Sequence, residues 1–365
     1  MPAPVLRRFP VACPAPLGYT LAMRILCIDG HFFLRAFREL GHEVLGIGPS
    51  CLMDVPVDRV LSLKDLHDIL NARGFAPDAV LWADTCKPPL VAGLETLPWP
   101  TLAYSIDQYL NPWHQSYSAG FDAVFVAQKD YLPMFEAEHP RPAVWLPLFC
   151  DPFVLRGVPP GLEPGGRDIP VAFVGTPDPG ANPARKPFLD AFERLAPLTR
   201  VCGDYAPVFT RSRLALNQSA AGELNFRVFE AMCCGVAVLT EDIGNGLGEL
   251  FTPGEDLLVY PRGDAPAAAG IALAALAGDK LEEIARSGRE KALRRHTVEA
   301  RAKTILAWAA RLAAQGAPAR RLRDIAAVRA RMANAYAILA LDEQLPLTPE
   351  HRRFYLELAA AVRGG

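Results

Sequence analysis

The chain lacks the usual frameworks for a bound metal. Its eight cysteines include no C-x-x-C pair, its seven histidines no H-x-x-x-H, and no two aspartates are separated by a single residue. Neither a dedicated zinc site nor a carboxylate grip on a divalent ion is therefore expected. No G-x-G-x-x-G occurs, which removes the dinucleotide fingerprint and with it the argument for NAD. No apolar run reaches the roughly 20 residues of a membrane span. The alanine-rich stretch 265–277 is too short and reads as a buried helix. Charge is nearly balanced, 38 basic against 40 acidic residues for a net of −2. With no long basic run, a general nucleic-acid footprint is not indicated. The unpaired cysteines read as small buried hydrophobes in a reducing compartment, so a cytoplasmic setting is expected. Cys27 and Cys202 fall in expected buried strands.

What the chain has is alternation. Short apolar runs at Ile25–Ile28, Val44–Ile47, Ala79–Trp82, Thr101–Tyr104, Ala123–Val126 and Val144–Leu148 are separated by segments with helical spacing, such as Phe32–Leu40 and Leu63–Asn71. That pattern implies βαβ units in a doubly wound parallel sheet. A proline- and glycine-rich stretch, 156–168, cannot form a regular element and reads as a linker. The alternation then restarts: strands at Val171–Val174, Arg200–Cys202, Leu214–Leu216, Val236–Leu239 and Leu257–Tyr260, with a helix at Arg185–Leu195. Residues 265–315 read as helical throughout, and 318–342 and 349–363 as two more helices. Thr348 is placed to cap the last of them, with Pro349 at its first position. At 365 residues two domains are the natural expectation. The divisions are an extension over 1–22, whose prolines and arginines leave no continuous apolar core; a first domain over 23–155; the linker 156–168; a second domain over 169–315; and terminal helices over 316–365.

The most informative segment is Leu224-Asn-Phe-Arg-Val-Phe-Glu-Ala-Met-Cys-Cys-Gly-Val-Ala-Val-Leu-Thr-Glu241. It reads as a short helix, a glycine stop and a buried strand. Phe226, Phe229 and Met232 share helical spacing toward a core, and Gly235 suits the left-handed position after the helix. Glu230 sits among apolar neighbours, where a lone carboxylate rarely stands without a partner. Fixed there, it can accept two hydroxyl hydrogen bonds from a ribose. The alternative is an ion pair with Arg227, one turn away.

This segment resembles the donor-binding helix of GT-B glycosyltransferases, and its wording is most similar to the CgeB-like, spore-maturation-protein branch. Phe125-Val-Ala-Gln-Lys-Asp130, Leu146-Pro-Leu-Phe-Cys-Asp-Pro152, Ala172-Phe-Val-Gly175, Gly246-Leu-Gly-Glu-Leu-Phe-Thr-Pro-Gly254, Leu257-Leu-Val-Tyr260 and His296-Thr297 with Arg301 follow in the same order. The likeness covers roughly residues 24 to 310. It implies two Rossmann-like domains facing across a cleft, the second binding a nucleotide sugar and the first an acceptor. It assigns Glu230 to the ribose.

The remaining candidates follow from strand ends, where open parallel sheets bind ligands. Val174-Gly-Thr-Pro-Asp-Pro-Gly180 is a glycine turn able to present N–H groups to phosphate, which makes Gly175 and Thr176 binding candidates. Arg185 and Lys186 begin the next helix, against its dipole, and are placed to neutralise a departing diphosphate; a solvated helix start is the alternative. Asn225 either caps the Glu230 helix or binds substrate, and Arg227 reaches a phosphate or the sugar. Asn217-Gln-Ser219 ends a strand toward the same cleft, with Asn217 the lining candidate. Many retaining GT-B members carry a glutamate where this chain has Gly222, with Glu223 adjacent. In the first domain Gly30 lets the backbone approach a ligand. His31 contacts phosphate or takes a proton from the acceptor, with helix capping or exposure as the alternative. Tyr104-Ser-Ile-Asp107 ends a strand where relatives carry a His-Asp pair; Ile106 replaces the histidine and Asp107 remains for acceptor activation or binding. Turn capping is the alternative for Asp107. Asp84 is a weaker candidate on the same rim.

The expected activity is metal-independent transfer of a sugar, hexosyl-like, from a nucleotide-sugar donor to a hydroxyl of a glycan, protein or small molecule, in a bacterial protein with no cofactor. The alternatives are a nucleotide-sugar epimerase and a non-catalytic GT-B domain that binds glycans or partners.

Overall fold

The computed structural model describes residues 22–138, 141–156, 166–177, 180, 182–345 and 347–364. Nearly all of the expected extension, most of the expected linker and residues 178–179 of the glycine turn lie outside them. Seven strands build the first sheet: β1 (Arg24–Asp29), β2 (Glu43–Gly48), β3 (Val55–Pro56), β4 (Ala79–Ala83), β5 (Thr101–Ser105), β6 (Ala123–Val126) and β7 (Ala143–Trp145). All are parallel, in the order 3-2-1-4-5-6-7. Five strands build the second: β8 (Ile169–Val174), β9 (Thr199–Val201), β10 (Ser212–Leu216), β11 (Ala237–Glu241) and β12 (Leu258–Tyr260), in the order 12-11-10-8-9. Central strands such as β4, β5 and β6 are buried along their whole length, which is why they read as apolar runs. Strand order reverses between β1 and β4 in one sheet and between β8 and β10 in the other. Those two switch points open crevices at the carboxyl ends of the strands.

The helices are α1 (Leu34–Glu39), α2 (Leu63–Ala72), α3 (His114–Ser118), α4 (Leu132–Glu138), α5 (Arg185–Glu193), α6 (Ala206–Phe209), α7 (Phe226–Cys233), α8 (Leu247–Leu250), α9 (Ala265–Ala277), α10 (Leu281–Arg295), α11 (Val298–Ala314), α12 (Ala317–Arg323), α13 (Ile325–Leu341) and α14 (Pro349–Gly364). Two helical expectations change. The helical run 265–315 is three helices, broken after Gly278 and again at Thr297, whose hydroxyl accepts from Ala300 N. The run 318–342 is split at Asp324. The start of α14 is as expected, with Thr348 Oγ1 accepting from His351 N at 3.2 Å. Gly235 closes α7 in the left-handed region (φ 73°), also as expected. Cys202 lies just past β9 and is exposed rather than in a buried strand.

The terminal helices return to the first domain. Arg301 on α11 is buried and donates to Pro147 O at 2.6 Å and Leu148 O at 3.0 Å, while Cys150 and Val298 join the same junction through backbone bonds. Arg321 on α12 is fully buried; it pairs with the equally buried Asp122 and donates to Glu95 O at 3.0 Å. Met332, Tyr336 and Tyr355 pack in one core with Leu26, Trp82 and Phe121. The first-domain core is thus completed by the last fifty residues. Among the described residues, no helix is long and apolar enough to cross a membrane.

The domains meet along one side of the cleft. Gln128, after β6, exchanges two hydrogen bonds with the backbone of Leu224, at 2.9 and 3.2 Å. Asp130 and Asn245 exchange two more, at 3.0 and 3.1 Å. Phe32 and Phe226 stack across the junction with ring centroids 5.8 Å apart.

Candidate functional site

A cleft of about 340 Å³ opens between the domains. Its first wall is built from strand ends: Asp29 and His31 after β1, Asp84 after β4, Asp107 and Tyr109 after β5. Its second wall is the entry to α7: Glu223, Asn225 and Phe226.

Beside the second wall, at the β8–β10 switch point, stand two cations, Arg227 and Arg185; neither they nor Glu230 line the cleft itself. Arg227 projects back from α7 beneath the strand ends. Its Nε donates to Val174 O at 2.6 Å and its Nη1 to Asn217 Oδ1 at 2.8 Å. Its guanidinium lies 4.4 Å from the Phe173 ring. Arg185, 9% exposed, donates to Gln218 Oε1 (3.0 Å), Gln218 O (3.3 Å) and Thr176 O (3.2 Å). Among the described residues neither guanidinium has a carboxylate within ion-pairing distance. Burial, and then the Arg185 charge, push Arg227 down to about 10, and burial lowers Arg185 as well. Two like charges, one buried and one part-buried, thus lie close together with only neutral hydrogen-bond acceptors among the described residues.

Gly175 makes this arrangement possible. Its φ is +147°, and a Cβ there would stand 2.3 Å from Arg227 Nη2. The glycine admits a guanidinium to the strand end; its own N–H is donated to Val201 O at 2.9 Å, so it is not the phosphate donor expected of this turn. Thr176 is exposed and gives its carbonyl to Arg185.

Three expected binders have other work. Lys186 extends along α5 to Asp190, 2.7 Å away, on the solvated side; the pair of cations is Arg185 with Arg227. Asn217 is 1% exposed, with its oxygen held by Arg227 and its nitrogen by Thr240 Oγ1 at 2.9 Å, so it orients the arginine. Gly30 does not line the cleft; an added Cβ would meet Ala83 O at 2.8 Å, so the glycine serves close packing of β1 on β4.

Glu230 makes no ion pair with Arg227, which is turned to Val174. Its carboxylate has no hydrogen-bond partner among the described residues, and burial pushes that carboxyl up to about 7 against the pull of Arg227. Asn225 occupies the N-cap position with extended backbone, yet its side chain does not cap. Its Oδ1 is buried and unpartnered in the cleft wall. Glu223 has both oxygens held by the Ala220 and Ala221 amides, at 2.8 and 2.6 Å.

On the first wall Asp107 receives a hydrogen bond from Tyr109 OH at 3.3 Å. Burial, then the nearby Asp84 charge, raise its carboxyl to about 7. Asp29 is raised similarly, by burial first. His31 is half-buried, stacks on Phe32 at 5.4 Å and is kept neutral by desolvation. Gln218 and Tyr109 complete the site although no spacing rule singled them out, only their place just after strand ends; Glu223, marked in the sequence by its position beside Gly222, stands in the second wall. Among the described residues no three histidine, cysteine or acidic side chains converge as metal ligands.

Residues 173–307, the strands and helices that carry Arg185, Arg227 and Glu230, match the family model described as glycosyl transferase-like. No curated protein matches the chain. Among solved structures, a glycosyltransferase from Rickettsia africae superposes with a TM-score of 0.58 at 11% identity, covering 80% of this chain and 98% of that one. Anabaena HepE, in complex with UDP and glucose, gives 0.57 at 14% identity, with 78% and 99% covered. Sucrose-phosphate synthase from Thermosynechococcus elongatus gives 0.54 at 15%, with 80% and 100% covered. The fold is GT-B, and the match to the glycosyl transferase-like model lies within its second domain.

Proposed function

We propose that the protein transfers a sugar from a nucleotide-sugar donor to an acceptor hydroxyl within this cleft, with Arg185 and Arg227 holding the diphosphate, Glu230 the ribose and Asp107 the acceptor's proton. The observation that carries the reading is a pair of neighbouring guanidiniums, Arg185 buried and Arg227 part-buried, that have no carboxylate partner among the described residues. Withdrawing two cations from water is costly, and a diphosphate offsets that cost on binding. Glu230 stands on the same helix one turn beyond Arg227, where a ribose attached to that diphosphate presents two hydroxyls. Asn225 Oδ1, buried and unpaired, gains its missing donor from a sugar hydroxyl.

The chemistry balances without further reagents. The acceptor oxygen bonds to the anomeric carbon, and its proton passes to Asp107. The bond from that carbon to the phosphate oxygen breaks, and the electron pair leaves with the nucleoside diphosphate. Asp107, raised to about 7, matches the range in which a general base works best near neutrality. The arginines stabilise the leaving charge, so transfer proceeds without a divalent ion. The phrases around Glu230 support the narrower CgeB-like assignment. The experiment is a thermal-shift and calorimetric series with UDP, GDP and dTDP. At least one should bind and raise the melting temperature, and Arg185→Ala should weaken it. Absence of binding by all three sinks the proposal.

A further inference from the structure

Asp84 lies on the floor between two loops of the first wall and is 1% exposed. Its Oδ1 accepts from Cys86 N at 2.7 Å, in the loop after β4. Its Oδ2 accepts from Ile106 N at 3.1 Å and Asp107 N at 2.9 Å, in the loop after β5. One carboxylate therefore ties the two loops together, and the second bond fixes the backbone that carries Asp107. Behind it, on α3, is the buried His114. Its Nδ1 is 2.9 Å from Ser105 Oγ, and its Nε2 faces Asp84 Oδ1 at 3.6 Å with no other partner. The edges of Trp82 and Trp113 pin the ring. The helix carrying it is held from outside by Tyr336 of α13 against Tyr117.

We propose that Asp84 is the positioning residue of the acceptor wall, that it aims Asp107 by gripping the amide of that residue, and that His114 supports it from behind as the Nε2–H tautomer. This rests on the reading of Asp107 as the group that takes the acceptor's proton. Burial keeps His114 neutral, so one ring nitrogen carries the single proton. The adjacent carboxylate favours it at Nε2, leaving Nδ1 to accept from the Ser105 hydroxyl. Asp84 also places a like charge beside Asp107. The other groups facing Asp107 are the Cys86 thiol, the Tyr109 hydroxyl and Glu223 from the second domain; Lys87 and His31 line the same cleft. Removing the Asp84 charge then makes Asp107 a weaker base as well as a looser one.

The test is NMR on the ligand-free protein. With aspartate labelled at Cγ, and Asp107 identified by its loss in Asp107→Asn, its carboxyl should titrate near 7. Asp84→Asn keeps one oxygen for the Ile106 and Asp107 amides, and the Asp107 midpoint should fall by about 1 unit. An unmoved midpoint in a folded Asp84→Asn protein overturns the proposal. The second reading needs no variant. In nitrogen-15 spectra of the wild-type protein at pH 7, His114 should carry its proton on Nε2, and a proton on Nδ1 overturns the support assigned to it. Neither measurement uses a nucleotide, so the proposal and the sugar-transfer reading fail separately.

Discussion

Replacing Arg227 by methionine separates phosphate recognition from folding. Methionine fills the space of the arginine stem without its charge. Two effects on the free protein then oppose each other. The hydrogen bonds to Val174 O and Asn217 Oδ1 are lost. Burial of a charge that repels Arg185 is relieved. The melting temperature should therefore move by only a few degrees. Ligand binding has no such compensation. A guanidinium–phosphate contact of one or two charge-assisted bonds is worth about 2–4 kcal/mol, which corresponds to a loss of roughly 30- to 700-fold in affinity. Calorimetry with a nucleoside diphosphate and the matching nucleoside measures it. The diphosphate should lose nearly all of that factor, and the nucleoside should change less than about threefold, since its ribose contact is Glu230. Equal losses for both ligands, with a large fall in melting temperature, would refute the phosphate assignment and make Arg227 a structural residue.

Four further outcomes follow from the same geometry. Gly175→Ala drives a Cβ to within 2.3 Å of Arg227 Nη2; nucleoside diphosphate affinity should drop at least tenfold, and unchanged affinity would show that the guanidinium is free to move. Glu230→Gln keeps the shape, and should weaken diphosphate and nucleoside alike by about 1–3 kcal/mol; a loss confined to the diphosphate contradicts the ribose role. Asp107 is raised from 3.8 to about 7, so the stability it contributes is present below its unfolded value and fades as pH rises toward 7. The stability of the wild-type protein minus that of Asp107→Asn, from urea titrations, should thus decline between about pH 4 and 7, and a flat or rising difference is the contrary result. Arg321→Ala strands the buried Asp122 and should cost about 3–5 kcal/mol in denaturant unfolding, whereas a loss below about 1 kcal/mol would mean that the terminal helices dock by apolar contact alone.

Much of the fold was legible because parallel strands covered on both faces must be apolar along their length. β4, β5, β6 and β11 are visible as runs, and the residues that follow them mark the cleft. Glu230 stood out because a carboxylate on an apolar helix face needs a reason. What was not legible depends on contacts between distant segments. Arg185 and Lys186 are neighbours in the chain, and only the phase of α5 against β10 turns one inward and leaves the other with Asp190. The partner of Arg185 in the site is Arg227, brought there by a glycine whose purpose is invisible without the guanidinium above it. His114 and Asp84 are thirty residues apart, and no local pattern joins them. The return of α12–α14 to the first domain rests on long-range pairs, Arg321 with Asp122 and Arg329 with the buried Glu95, and on tyrosines whose spacing would serve any core. The break at 278–280 carries a local stop in Gly278-Asp279 that the alanine-rich run around it obscured, whereas the break at Asp324 falls in largely helix-compatible sequence, where tertiary packing decides the end.

The central claim is that the two unpaired arginines and Glu230 together hold a nucleoside diphosphate. A crystal structure of the protein with the nucleoside diphosphate that raises its melting temperature most tests this directly. The account predicts phosphate oxygens within hydrogen-bond distance of both Arg185 and Arg227, and ribose hydroxyls on the Glu230 carboxylate. A diphosphate bound elsewhere, or a cleft left empty at saturating ligand, would contradict it.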